Sequence, residues 1–179
     1  IPDGVTSIGR CTFEGCSSLV SIVVAEGNTV YDSRENCNAI IQTATNTLIH
    51  GCQNTTIPSS IKSIGAHAFK GCSSMTSITI PDSITTIGWS AFEGCSKLKT
   101  IALPDSVKNI EGDAFLNCSS LISITIPNGV ASIEDEVFAG CSSLTAIAIP
   151  NSVTSIGEEA FARCSSLTAI TIPDSVASI

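Results

Sequence analysis

Cysteine is the chemically active residue with the most regular spacing in this sequence. The chain contains nine cysteines, and Cys72, Cys95, Cys118, Cys141 and Cys164 follow one another every 23 residues. Thiols can form disulfides, bind metals or pack as small apolar groups. Zinc sites use clustered patterns such as C-x-x-C, and no such pattern occurs here. The even spacing predicts one thiol in each unit of a repeated structure.

Buried, reduced thiols are the favoured interpretation of these five residues. Side chains in successive parallel units aim the same way, whereas a disulfide requires two cysteines that face each other. We therefore expect the thiols to pack as small apolar groups with weak hydrogen bonds to turn backbone, and disulfide pairing or metal binding stays an open alternative. Cys16 is in phase with the five, but Cys11 and Cys37 are not, and either could be an exposed thiol.

The residues that could serve as catalytic bases do not form a recognisable catalytic pattern. The sequence has two histidines, His50 and His67, and no H-E-x-x-H, P-loop or G-x-S-x-G motif. His67 occupies a repeat position that is elsewhere Ser90, Asp113, Glu136 or Glu159, and we interpret that position as solvent-facing. The sequence predicts neither an enzyme nor a cofactor.

Acidic residues concentrate in the second part of the chain. Of the net charge of −8, residues 109–179 contribute −7, with one Lys or Arg against eight Asp or Glu. This balance disfavours nucleic acid as a partner, and no apolar run reaches the roughly 18–20 residues of a membrane helix. Calcium or a basic partner could bind the acidic cluster, although solubility is the simpler explanation. The cluster comprises Glu111, Asp113, Glu134, Asp135, Glu136, Glu158 and Glu159.

The elements that must position these residues repeat with the same period of 23. Prolines occur at 58, 81, 104, 127, 150 and 173, and the six phenylalanines occur at 13, 69, 92, 115, 138 and 161. In outline a unit reads L-x-x-I-x-I-P-D-S-V-x-x-I-G-x-x-A-F-x-G-C-S-S. A single unit has too few apolar residues to offset the entropy of ordering its backbone, roughly 1–2 kcal/mol per residue. Stacked copies would form one continuous core.

Each unit is predicted to contain two extended pieces. L-x-x-I-x-I alternates with period two and ends at a proline, so we interpret it as a short strand of a parallel sheet. S-V-x-x-I is a second extended segment. The first pattern predicts seven strand levels, at residues 19–24, 52–57, 75–80, 98–103, 121–126, 144–149 and 167–172.

The G-x-x-A-F-x-G segment is predicted to form one or two helical turns with the phenylalanine facing inward. The residue before each in-phase cysteine should be left-handed, a conformation that glycine adopts without steric cost. Glycine stands there in four units, and Asn117 can adopt the same conformation. Arg163 would do so at roughly 1 kcal/mol, so the turn at that residue is expected to differ.

The 23-residue unit IP-x-SV-x-x-IG-x-x-AF-x-GCSSL resembles the BspA-like (Treponema pallidum type) leucine-rich repeat. Six copies, from Phe13–Cys16 to Phe161–Cys164, carry the resemblance. It implies an α/β repeat solenoid, a right-handed superhelix with a parallel sheet on its concave face and short helical turns and extended segments elsewhere. It also implies a bacterial cell-surface or secreted protein that adheres to host matrix or to another cell-surface protein.

One unit is longer than the others, because Val24 and Ile57 occupy the same repeat position but are 33 residues apart. The ten extra residues lie within 25–51. Two apolar arms there, Ala39–Ile41 and Thr47–Ile49, flank a Thr-Asn turn. We predict a β-hairpin that projects from the solenoid edge, within a single repeat array over residues 1–179. The array begins and ends in mid-motif and is expected to be part of a longer protein.

The x positions of L-x-x-I-x-I point away from the core and form a nearly uncharged surface. We name this surface the concave strip and predict that it binds a protein partner, in a chain that is monomeric or weakly associating. The alternative is a spacer that displays another domain and has no ligand of its own. The candidate binding residues are Thr76, Ser77, Thr79, Lys97, Lys99, Thr100, Ile122, Ser123, Thr125, Thr145, Thr168 and Thr171.

Overall fold

The computed structural model describes all residues of the chain, 1–179. It contains eleven short strands, one 3-10 helix at Arg34–Asn36 and many tight turns. The strands are β1 (Tyr31–Asp32), β2 (Ile40–Gln42), β3 (Thr47–His50), β4 (Ser63–Ile64), β5 (Thr86–Ile87), β6 (Thr100–Ile101), β7 (Asn109–Ile110), β8 (Ser123–Thr125), β9 (Ser132–Ile133), β10 (Ala146–Ala148) and β11 (Ser155–Ile156).

The L-x-x-I-x-I segments form a parallel sheet, as the alternation predicts. β6, β8 and β10 pair with a constant offset, which places Thr100, Ser123 and Ala146 side by side. Single bridges from Thr79 to Ala102 and from Ala148 to Thr171 extend the sheet by one level at each end. The levels at 19–24 and 52–57 contain no strand. Five of the seven predicted levels are therefore paired.

The V-x-x-I-G segments form a second parallel ladder. β3, β4, β5 and β7 pair in parallel, as do β9 and β11. Each of β4, β5, β7, β9 and β11 ends in a buried isoleucine. The second extended piece of each unit is thus also a strand, although most of these strands contain only two residues.

The insertion is incorporated into the body of the fold. β2 and β3 pair antiparallel, β1 adds to the outer side of β2, and β3 pairs in parallel with β4. Ile40, Ile41 and Leu48 are completely buried. The predicted hairpin is therefore present as β2 and β3. The expectation that it projects is wrong, because its arms extend the ladder of V-x-x-I-G strands and bury their side chains within it.

Tight turns occupy the segments that were expected to be helical. Within one unit, His67 and Gly71 both have positive φ, at 59° and 73°. The amides of His67, Phe69 and Gly71 donate to carbonyl oxygens of the next unit at 2.7 to 2.8 Å. An α-helix requires right-handed residues throughout and amides free for its own carbonyls. Two left-handed residues and these bonds between units prevent the helix.

Arg163 does not change its turn, contrary to expectation. Its φ is 58°, close to the 59° of Asn117 at the same position, so the neighbouring units impose the conformation on a side chain that disfavours it. The glycines at this position have φ of 70° to 73°. The left-handed residue before each in-phase cysteine is therefore confirmed, for glycine and non-glycine residues alike.

Stacked side chains make up the core, which contains one cluster of 39 buried residues and a smaller one of five near the N-terminus. The rings of Phe69, Phe92, Phe115, Phe138 and Phe161 stack with centroids 5.1 to 5.7 Å apart. The remaining phenylalanine, Phe13, is separated from this column by the insertion and packs edge-on against His50.

Candidate binding surface

All twelve predicted binding residues are exposed, and most follow the paired part of the concave strip. The inward residues that alternate with them, Ile101, Ile124 and Ile147, are buried. Within β8, successive side chains point to opposite faces of the sheet, so Ser123 and Thr125 are exposed and Ile124 is buried. The outward residues of β6, β8 and β10 therefore lie in register on one face, with buried isoleucines behind them.

The surface consists mostly of small side chains and is almost uncharged. Lys97 and Lys99 are the charged residues among the twelve, and threonine and serine supply most of the others. Ile122 exposes 47% of its surface, and at the N-terminal end of the chain Val20 and Val23 expose 47% and 65%. Hydroxyl groups and isolated apolar side chains suit contact with a protein better than contact with a polyanion.

Backbone groups of the concave strip are largely occupied. The amides of Lys99, Ile122 and Thr145 donate to Thr76, Lys99 and Ile122 oxygens at 3.3, 3.0 and 3.2 Å. Because neighbouring levels use these groups, a partner would contact side chains rather than add a strand across the middle of the sheet.

A shallow groove interrupts the strip on its N-terminal side. It has a volume of about 240 Å³ and lies between Thr55–Ile57 and Ser77–Thr79. No strand pairing joins these two levels. The groove gives the otherwise flat surface one concave feature.

The five in-phase cysteines form no disulfide; four of them are buried, and Cys72 is half-buried. Cys95, Cys118, Cys141 and Cys164 each donate a thiol hydrogen bond, at 3.2 to 3.3 Å, to the carbonyl of a phenylalanine in the preceding unit. Burial raises the pKa of Cys141 to about 12. Packing as buried, hydrogen-bonded thiols is therefore confirmed for these four cysteines, and a thiol with so high a pKa is too poorly ionised to act as a nucleophile.

The cysteines outside the repeat phase differ from each other. Cys37 is completely buried, and its thiol donates to Ala39 O at 3.8 Å. The suggestion that Cys37 is exposed is therefore wrong, because the insertion packs around it. Cys11 is half-buried, and burial raises the pKa of its thiol.

Neither histidine lies on a solvent-facing surface. His67 is 7% exposed, its Nδ1 has no hydrogen-bond partner, and its ring packs edge-on against Trp89. The expectation that this repeat position is solvent-facing is also wrong for Ser90, which is completely buried. His50 is buried between Phe13 and the Gly9 carbonyl, and burial lowers its pKa below the ordinary value. The two imidazoles act as packing groups for neighbouring segments.

The acidic cluster contains no arrangement suited to a metal ion. No group of three or more His, Cys, Asp or Glu side chains is placed to hold one. Two carboxylates accept backbone amides of neighbouring units, Glu111 from Trp89 and Asp135 from Glu158, at 2.9 and 2.8 Å. Part of the cluster therefore helps to hold successive units together.

Trp89 lies on the surface at a position for which the repeat pattern predicts no function. It is the only tryptophan of the chain, it is 45% exposed, and it lines a groove of about 380 Å³ away from the concave strip. The corresponding repeat position holds Ala66, Gly112, Asp135 and Glu158 in other units. A bulky aromatic residue at an otherwise small or acidic position was the signal that could have identified this groove.

Comparison with known proteins agrees with the repeat architecture. The model of the BspA type leucine rich repeat region matches residues 1–50, 40–144 and 131–179, with six copies. No curated protein matches the chain. None of the helices described has the length and apolar character needed to cross a bilayer.

Three solved structures illustrate the similarity. A leucine-rich repeat protein from Eubacterium ventriosum is 25% identical, with a TM-score of 0.75 over 98% of this chain and 55% of its own. The leucine-rich repeat protein of T. pallidum is 28% identical, with a TM-score of 0.64 over 97% and 77%. A leucine-rich cell surface protein from Faecalibacterium prausnitzii is 35% identical, with a TM-score of 0.79 over 94% and 45%. The chain spans about half the length of the first and third of these proteins.

Proposed function

Because the chain belongs to the BspA-type leucine-rich repeat family, we propose that it is an adhesin-like module that binds a protein partner through the concave strip. The partner is a host matrix protein or another cell-surface protein. The chain itself supplies recognition rather than catalysis, and it needs no cofactor for this role.

The observation that supports the proposal is that all twelve candidate residues are exposed, in a chain whose L-x-x-I-x-I levels pair in parallel. The residues behind them are buried, and the strand register places like positions side by side. A surface held in this way loses little side-chain and backbone entropy on binding, which favours affinity. The near absence of charge further favours a protein surface over nucleic acid.

A location at the cell surface or outside the cell is part of the same proposal. It is supported by the Faecalibacterium prausnitzii relative, which is described as a leucine-rich cell surface protein and is 35% identical to this chain. Adhesion requires that location, because the partner would be reached outside the cell.

Binding by the concave strip is tested with the triple variant Thr79→Glu, Lys99→Glu and Thr125→Glu. All three residues are exposed, so the substitutions should leave the core intact. Unpaired carboxylates buried against a partner are costly, and we expect capture to weaken by about tenfold or more, equivalent to ~1.4 kcal/mol. The measurement is surface-based binding to an array of purified extracellular-matrix proteins and bacterial surface proteins.

A matched control uses the same residue types on the other extended segments. Thr85→Glu, Lys108→Glu and Thr154→Glu produce the same change of charge at exposed positions outside the concave strip. Capture by this control should equal that of the unaltered protein. Equal loss of capture in both triple variants would contradict binding by the concave strip. If the unaltered protein captures none of the arrayed proteins specifically, the spacer alternative is favoured.

A further inference from the structure

A second surface feature lies outside the concave strip, where the sheet of V-x-x-I-G strands meets the turns. It is the groove of about 380 Å³ beside Trp89, and Ile110, Glu111 and Glu134 contribute to its walls. None of these residues belongs to the twelve candidate residues of the concave strip. A role for this groove is therefore independent of the proposed adhesion function.

The tryptophan is held in place but is not part of the core. On one side, the His67 ring packs edge-on at a centroid distance of 4.8 Å. On another side lies Gly112, where an added Cβ would be 3.4 Å from Trp89 Cδ1. The next unit thus lacks a side chain where the indole lies, and 45% of Trp89 is exposed to solvent. Exposed aromatic groups that are fixed by their neighbours are characteristic of recognition sites.

The groove carries negative charge without a positive counterpart. Glu111 and Glu134 are both exposed, and neither belongs to any of the three ion pairs of the structure. Lys108 directly precedes the groove residue Asn109, but it is exposed and forms no ion pair with either glutamate, and Arg163 is the only basic residue among residues 109–179. The charge at the groove is therefore left for a partner to complement.

Hydrogen bonds within the protein orient both carboxylates. Glu111 Oε2 accepts the Trp89 amide at 2.9 Å, and Glu134 Oε1 accepts the Ser132 hydroxyl. Each carboxylate retains a second oxygen for an external donor. Two oriented carboxylates beside an aromatic ring supply both of the contacts that a flat cation uses.

We propose that the groove binds an arginine side chain from a basic segment of a partner protein. A guanidinium group is planar, stacks on aromatic rings and donates in a fork that matches carboxylates. A lysine ammonium group would also be attracted to the two carboxylates, but it stacks less well on the indole ring and cannot form the forked pair of hydrogen bonds.

The only tryptophan of the chain is a direct reporter of occupancy. Acetyl-Gly-Arg-Gly-amide is titrated while the emission of Trp89 is recorded, with the citrulline and lysine peptides as matched probes. We expect a saturable change with the arginine peptide, at a Kd on the order of millimolar for a single side chain. Citrulline keeps the shape without the charge, and it should bind at least ~5-fold more weakly.

Two variants with equal net charge separate a specific site from general attraction to an acidic protein. Glu134→Gln alters the groove, whereas Glu158→Gln removes an exposed carboxylate outside it. We expect Glu134→Gln to weaken the arginine peptide at least ~3-fold and Glu158→Gln to leave it unchanged. Thermal unfolding of both variants confirms that the fold is retained.

Trp89→Ala completes the test, with binding followed by the anisotropy of a dye-labelled peptide. Alanine stands at the same repeat position at Ala66, so the position accommodates it. Loss of arginine binding in this variant supports the proposal. The proposal is overturned by equal titration with arginine and citrulline, by equally tight lysine binding, by equal effects of the two glutamine variants, or by no saturable change.

Discussion

Replacing Phe115 with alanine tests whether the stacked rings hold successive units together. Phe115 is completely buried in the middle of the column, with the Phe92 and Phe138 ring centroids 5.4 and 5.7 Å away. The planes of these rings are within 5° of parallel. Removal of the ring leaves a cavity that both neighbours line, and neighbouring units cannot approach to close it, because their strands pair in register above and below.

The expected loss is large relative to the stability of a domain of this size. A buried phenylalanine replaced by alanine costs roughly 3–5 kcal/mol, and the upper part of this range applies where the cavity cannot collapse. Typical stabilities are about 5–15 kcal/mol. We also expect unfolding to become less cooperative, since units on either side of the gap lose their mutual contact.

Phe161→Ala is the matched comparison. Phe161 is only partly buried and has one stacked neighbour, Phe138, at 5.6 Å. Its loss should be about half as large, roughly 1.5–2.5 kcal/mol. Urea unfolding followed by circular dichroism and by Trp89 emission measures both variants. A loss of unfolding free energy below about 1 kcal/mol for Phe115→Ala, or equal losses for the two variants, would refute the claim that the stacked rings stabilise the contact between units.

Two further predictions concern the insertion and the thiols. Gly51→Ala should lower the free energy of unfolding by about 1–3 kcal/mol, because the added Cβ would overlap the ring of Phe69; an unchanged urea midpoint would contradict this contact. Iodoacetamide at pH 8 should label the exposed Cys16 in the native protein but label Cys72 and Cys141 only after unfolding, because burial raises their pKa values to about 11 and about 12. Mass spectrometry identifies the labelled peptides. Labelling of Cys141 in the native protein as fast as that of Cys16 would contradict the burial of the Cys141 thiol.

Residues that recur at one position in every unit made the layered fold predictable. The spacing of the prolines, phenylalanines and cysteines predicted stacked units, and period-two alternation predicted which side chains of L-x-x-I-x-I face outward. These patterns are reliable because every unit meets nearly the same neighbours, so that one local rule applies along the whole column.

The turns were not predictable from the same patterns. The segment around Phe69 has the apolar spacing of a short helix, yet its amides bond to the next unit and His67 adopts positive φ. Residue type gives little warning of this, since the equivalent residues are Ser90, Asp113, Glu136 and Glu159. Arg163 shows the same effect, because contacts between units override the local backbone preference.

Burial at positions that differ between units was equally hard to predict. His67 is buried beneath Trp89 although acidic residues at its position in later units are more exposed. Cys37 is buried because the insertion continues the sheet of β3 and β4. Burial at these positions depends on which particular side chain the adjacent unit supplies. A consensus repeat does not contain that information. The exposure of the twelve candidate residues was predictable, whereas their binding is a matter for the capture experiment.

Urea unfolding of a variant that lacks one whole unit tests the stacking of interchangeable layers most directly. Deletion of residues 117–139 joins Leu116 to Gly140 in phase, because Asn117 and Gly140 occupy the same repeat position. The shortened chain should unfold cooperatively, with a native-like spectrum and an m-value lower by roughly an eighth. Deletion of residues 117–128, about half a unit, should prevent folding. An unfolded in-phase variant, or equal stability of the two deletions, would contradict the layered account.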